Sequence, residues 1–141
     1  LPKEQKLNVW GQIFAGIAKF ESNYDPTSRM RESTMGTDPV TRKPVYSEGL
    51  LQLSYQDTQW APYCRFDWSK DRSLGPRDSR KTILDPYLNL ECGVKIMAQQ
   101  IRRKGRILLS SGVYWSTLKI HGRYEKIDKI VAMVRNLPQC Q

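Results

Sequence analysis

A single, mainly α domain is what this sequence predicts, on three observations. Apolar residues recur at helical spacings in several segments, Asp85–Pro86 forms a strong helix start, and no stretch alternates convincingly at the two-residue period of a strand. At 141 residues the chain is long enough for one domain with a proper core. A hydrophobic share of 39% against 26% charged residues excludes a disordered chain.

In chain order, residues 1–7 are polar and expected to be loose. Asn8 is an N-cap candidate for a first helix over Val9–Ser22. Trp10, Ile13, Phe14 and Ile17 form its apolar stripe, and the next place on that stripe is Glu21. Pro26 stops the helix. From there to Pro44 the chain is rich in Thr, Ser, Arg, Gly and Pro, and reads as a long loop of the kind that is usually functional or disordered. Within YSEGLLQLSYQDTQW, Ser54 and Asp57 form a capping box for a helix over Tyr55–Tyr63. Gln52 lies between Leu51 and Leu53 and needs a hydrogen-bond partner in those apolar surroundings. A second basic loop, 64–84, has Gly75 and Pro76 at its centre. Asp85 and Pro86 then start a helix with Leu90, Val94, Met97 and Ile101 on one face, ending near Gly105. A short helix over Val113–Ile120 and a last one over Tyr124–Asn136, burying Ile127, Ile130, Val131 and Val134, complete the chain.

Glu21 is the residue with the most chemical content. At the last turn of a largely buried helix, a carboxylate held against apolar groups has its pKa raised, the property a general acid needs near neutral pH. The plainer alternative is a glutamate at a frayed helix end, facing water. The net charge of +9 and pI near 9.6 predict attraction to polyanions, either nucleic acid or an anionic cell wall. A nucleic-acid module is disfavoured, because no clustered recognition helix or stacking platform is present. Zinc-ligand spacings are absent and His121 is the single histidine, so neither metal nor cofactor is expected. Cys64, Cys92 and Cys140 allow one disulfide with one thiol left over, or three reduced thiols. No apolar run reaches the length of a membrane span, and no export signal opens the chain.

Three blocks in fixed order resemble the lysozyme-like lytic transglycosylases and goose-type lysozymes. ESNYDP is similar to the family's signature around its catalytic glutamate, GLLQLS to its G-L-M-Q-hydrophobic segment, and DPYLNLECGVKIM to its Asn-Ile/Leu-x-x-Gly helix. The resemblance implies a lysozyme-like domain over 1–141, with long loops around a glycan cleft and residues 27–44 inserted over it. It implies cleavage of peptidoglycan at the β-1,4 bond between N-acetylmuramic acid and N-acetylglucosamine, with Glu21 as general acid and then base. Gln52 matches the glutamine that holds the glycan. Tyr114, opening YWST where the family has Y-N-A-G, takes the active-site tyrosine's place, although Trp115, Ser116 and Thr117 depart from the motif.

Two departures bear on the chemistry. Goose-type enzymes tend to place an Asp two residues after the cleft glutamine, where this chain has Ser54. Hydrolysis by inversion needs a second carboxylate to activate water, whereas intramolecular attack giving an anhydro sugar does not. Ser54 therefore favours transglycosylation unless another acid substitutes: Glu48 first, then Glu32, Asp38 or Asp57. Glu48 at the cleft wall also offers a partner for the free amine of a de-N-acetylated sugar, against the plainer reading of a surface salt bridge to the basic loop. The expected partner is the glycan strand, met by a monomer in the periplasm or beyond. A non-catalytic wall- or partner-binding domain on the same fold is the alternative.

Overall fold

The computed structural model describes all 141 residues, which divide into two compact units: residues 1–21 with 99–141, and residues 22–98. The fold is mainly α. Helix α1 spans Lys3–Ser22, α2 Trp68–Asp71, α3 Pro86–Lys104 and α4 Ile127–Arg135, with a single two-stranded sheet, β1 Arg29–Arg31 and β2 Tyr46–Glu48.

In the first unit, the stripe on α1 buries Phe14, Ile17 and Ala18, with Ile17 fully enclosed. Trp115 packs edge-on against Phe14 at 6.3 Å between ring centroids, and Leu118 and Ile130 complete this core. Gly16 is needed here because a Cβ would meet the Ile130 side chain at 3.0 Å. Helix α1 begins at Lys3 rather than Val9, so residues 3–7 are helical and not loose. Lys, Glu and Gln are good helix formers, Glu4 suits the first turn, and Lys6 N–H donates to the Pro2 carbonyl. An apolar stripe gives no signal for such a solvated turn, where Leu7 stays 60% exposed. Instead of a helix over Val113–Ile120 there is one 3-10 turn, Ser116–Leu118.

The second unit buries Val45, Leu51, Leu53, Tyr55, Phe66, Ile83, Leu84 and Ile96, and the Cys64–Cys92 disulfide cross-links it. The stretch read as a long loop opens on β1 and forms the arm of a hairpin closed by β2. β1 and β2 pair antiparallel, with Met30 opposite Ser47, and Thr37 bridges to Pro44 beyond them. Buried Asp38 pins its tip, accepting from the backbone N–H groups of Val40, Thr41 and Gln56. Three-residue strands are too short to show alternation, which is why the sequence concealed them. Ser54 and Asp57 do form the capping interaction, Ser54 N–H donating to Asp57 Oδ2 at 2.9 Å, but the helix that follows is a 3-10 segment, Tyr55–Gln59.

Helix α3 starts as expected, with Leu88 N–H donating to Asp85 Oδ1, and closes at Gly105, which is left-handed at φ +66. Its buried face differs. Val94 is 45% exposed, while Asn89, Cys92, Ile96, Met97 and Gln100 are buried. Counting apolar residues alone misplaces the face because two of its members are amides.

Joining Cys64 to Cys92 closes a chain segment with a sequence separation of 28. Replacing both cysteines by alanine is expected to cost about 2–4 kcal/mol in urea unfolding. An unchanged midpoint would show that the cross-link carries none of this unit's stability.

Candidate functional site

In the first unit, the candidate acid lies at the end of α1. Glu21 occupies the last turn, half-buried, and Thr117 Oγ1 donates to its Oε1 at 3.2 Å. Thr117 is itself buried in the 3-10 turn that the YWST block forms. The two positions lie 96 residues apart, and in the sequence Thr117 is only a departure from the Y-N-A-G motif. Tyr114 is half-buried and meets Trp115 edge-on at 5.0 Å, so its place is fixed by the same aromatic stack that anchors α1. Past Ser22 the backbone turns sharply. Asn23 and Tyr24 are both left-handed, at φ 52 and 62, a conformation that costs a bulky residue energy and is typical of functional turns. Asp25 steadies the turn, accepting from Thr27 N–H and Thr27 Oγ1, and the hydroxyl bond above all holds its carboxyl below the usual range.

The second unit presents the GLLQ loop. Glu48 and Leu53 exchange backbone hydrogen bonds at 2.7 and 3.0 Å, so Gly49–Gln52 is a tight four-residue hairpin loop. Two left-handed residues make it possible, Gly49 at φ 83 and Gln52 at φ 53. Leu51 is fully buried beneath it. Gln52 finds its partners in the backbone: Nε2 donates to Gly49 O at 3.0 Å and Ser28 O at 3.2 Å. Its Oε1 accepts no hydrogen bond from the protein, which leaves the amide one acceptor to offer.

Asn89 supports this loop from α3. Its Nδ2 donates to Glu48 O and Ile83 O, and its Oδ1 accepts from Leu51 N–H at 2.8 Å. Asn89 is fully buried, so all three bonds are made away from water. Sequence reading saw the asparagine in its motif but not its partners, which lie 38 and 41 residues away.

The remaining acids have structural partners. Glu48 is buried and not on the surface: Lys81 Nζ stands 2.6 Å from its Oε1 and Arg29 Nε 3.2 Å from the same oxygen. Glu32 is half-buried beside the sheet and accepts from Ser47 Oγ at 2.6 Å. Ser54 and Asp57 are taken up in the capping interaction, and Asp38 in the hairpin tip.

A protein-family model, the transglycosylase SLT domain, matches residues 2–132. The chain belongs to this family. Its members are lytic transglycosylases acting on peptidoglycan, and the match supports that type of cleavage here. Solved structures of Bd0314 DslA have the same fold. The wild-type protein in a second form is 28% identical with a TM-score of 0.76, and two glutamate-to-glutamine mutants are 27% identical with TM-scores of 0.76 and 0.77. Each comparison covers 100% of this chain and 72% of DslA. No curated protein matches the chain.

The loop geometry makes a sharp prediction. A Cβ on Gly49 would sit 2.3 Å from Asn89 Nδ2 and 2.8 Å from the Ile83 carbonyl oxygen, at a left-handed φ. Gly49→Ala should cost about 2–5 kcal/mol in denaturant unfolding. Gly75→Ala, where nothing lies within 4 Å, should be near neutral. Equal effects would mean that the close approach is not a constraint.

Proposed function

We propose that this protein cleaves the β-1,4 bond between N-acetylmuramic acid and N-acetylglucosamine in peptidoglycan, with Glu21 as general acid and then base. The observation that carries the reading is the Glu21 carboxylate at the last turn of α1, oriented by a buried threonine hydroxyl, within the block that resembles the family's catalytic signature. Protonated Glu21 gives its proton to the glycosidic oxygen as that bond breaks and positive charge develops at the muramic C1. The resulting carboxylate then takes the proton of the muramic C6 hydroxyl while that oxygen bonds to C1, giving the 1,6-anhydro end and restoring the acid. Gln52 Oε1 would accept from a sugar hydroxyl or acetamido N–H, and Tyr114 would orient the ring.

Glu48 is better suited to holding its own wall together than to reading a sugar amine. Its carboxylate already answers two cations through Oε1, so an incoming ammonium would compete with Lys81 and Arg29 for a charge they already offset. Removing one partner from such a buried pair is costly.

A second reading, hydrolysis, draws support from Glu32. The two DslA mutants replace glutamates eleven positions apart, which is also the spacing between Glu21 and Glu32. Glu32, steadied by Ser47, is the carboxylate we assign to water activation if water competes with the C6 hydroxyl. The wall substrate implies a site of action outside the cytoplasm, and the Cys64–Cys92 disulfide suits an oxidising compartment. No helix is long and apolar enough to cross a membrane.

Glu21→Gln should lower fragment release from purified sacculi by about 10²- to 10⁴-fold while leaving sacculus binding intact. Retention of a tenth or more of the activity would remove Glu21 from the chemistry. Absence of activity in the wild type, with binding preserved, would favour the wall-binding alternative. Glu32→Gln should abolish reducing-end products and spare anhydro products; equal loss of both would refute its role in activating water.

A further inference from the structure

We propose that a cavity in the second unit binds a small oxyanion, a carboxylate or a phosphate. The cavity is about 100 Å³ and gathers four cations, Arg29, Lys43, Arg72 and Lys81, against two carboxylates, Asp38 and Glu48. Room for about three waters fits one such group, but not a substituted sugar ring.

Both carboxylates are already engaged. Asp38 is 1% exposed and spends its oxygens on three backbone N–H groups. Glu48 is 2% exposed and answers two cations with one oxygen. Lys43 and Arg72 have no carboxylate within ion-pair distance, so the lining keeps a surplus of positive charge. Buried Lys81 reaches Glu48 and the Pro76 carbonyl with two of its three protons. The Arg29 guanidinium lies flat on Tyr46 at 3.4 Å, its Nε turned to Glu48, and its terminal nitrogens meet no protein acceptor. Such a stacked fork is preorganised for the two oxygens of a carboxylate or phosphate.

The walls add no competing anion. Tyr55 is buried and bonded to Asp71; burial first, and then that bond, push its hydroxyl above the usual tyrosine range, so it stays neutral. Trp68 carries Lys43 over its ring at 5.5 Å and supplies an apolar edge. Exposed Lys43 and Arg72 are solvated, so their surplus charge costs little, but the positive potential it gives the cavity attracts an anion and repels a cationic group. Two sources offer the anion: the free carboxylates of wall peptides, an arm that rests on the peptidoglycan reading, and phosphate, which does not.

The test is NMR titration of ¹⁵N-labelled protein with inorganic phosphate and, separately, with the dipeptide L-alanyl-γ-D-glutamate. Saturable shifts of the Trp68 indole and Arg29 Nε–H signals are expected with at least one of them. The exposed pair Lys43→Ala/Arg72→Ala should weaken that binding at least about tenfold. Arg102→Ala/Arg103→Ala, which removes equal charge elsewhere, should leave it unchanged. Saturation by the dipeptide alone assigns the site to peptide carboxylates, and by phosphate alone to phosphoryl groups; both support it. No saturation by either probe, or equal weakening in the two double variants, would overturn it. The readout is binding, so its failure leaves the catalytic role of Glu21 standing.

Discussion

One buried side-chain amide holds the second unit's GLLQ loop in shape. Fully buried Asn89 ties Leu51 N–H, Glu48 O and Ile83 O together away from water. The loop's two left-handed residues follow from this. Gly49 must lack a Cβ because Asn89 fills that space, and Gln52 is held at positive φ by bonds from its own amide to Gly49 O and Ser28 O. A neutral amide suits the task because it donates twice and accepts once without burying a charge.

The first unit relies on a different device, aromatic packing. Trp115 stands between Phe14 of α1 and the turn that carries Thr117, so the core contact and the hydrogen bond to Glu21 come from neighbouring residues. Packing therefore fixes the turn whose Thr117 hydroxyl donates to the Glu21 carboxylate.

Much of this was legible in the sequence. The stripe ending on Glu21, the Asp85–Pro86 start and the Ser54–Asp57 cap depend on contacts within a few residues, and each is present. What escaped was set at long range. The buried face of α3 includes Asn89 and Gln100, polar residues whose partners no local pattern reveals. Thr117 looked like a loss against a motif, yet it supplies a hydroxyl to Glu21 across 96 residues. Glu48 reads as a cleft-wall acid or a surface salt bridge to the basic loop; Lys81 of that loop, 33 residues on, does pair with it, but the pair is buried, which no local pattern shows.

The central claim is that Glu21 alone moves both protons, with the muramic C6 hydroxyl as acceptor. Mass spectrometry of the fragments released from purified peptidoglycan tests it most directly. The account predicts fragments ending in 1,6-anhydro-muramic acid, smaller by one water than the corresponding reducing-end products. Reducing ends alone would contradict it, since water would then be the nucleophile and a second carboxylate would be required.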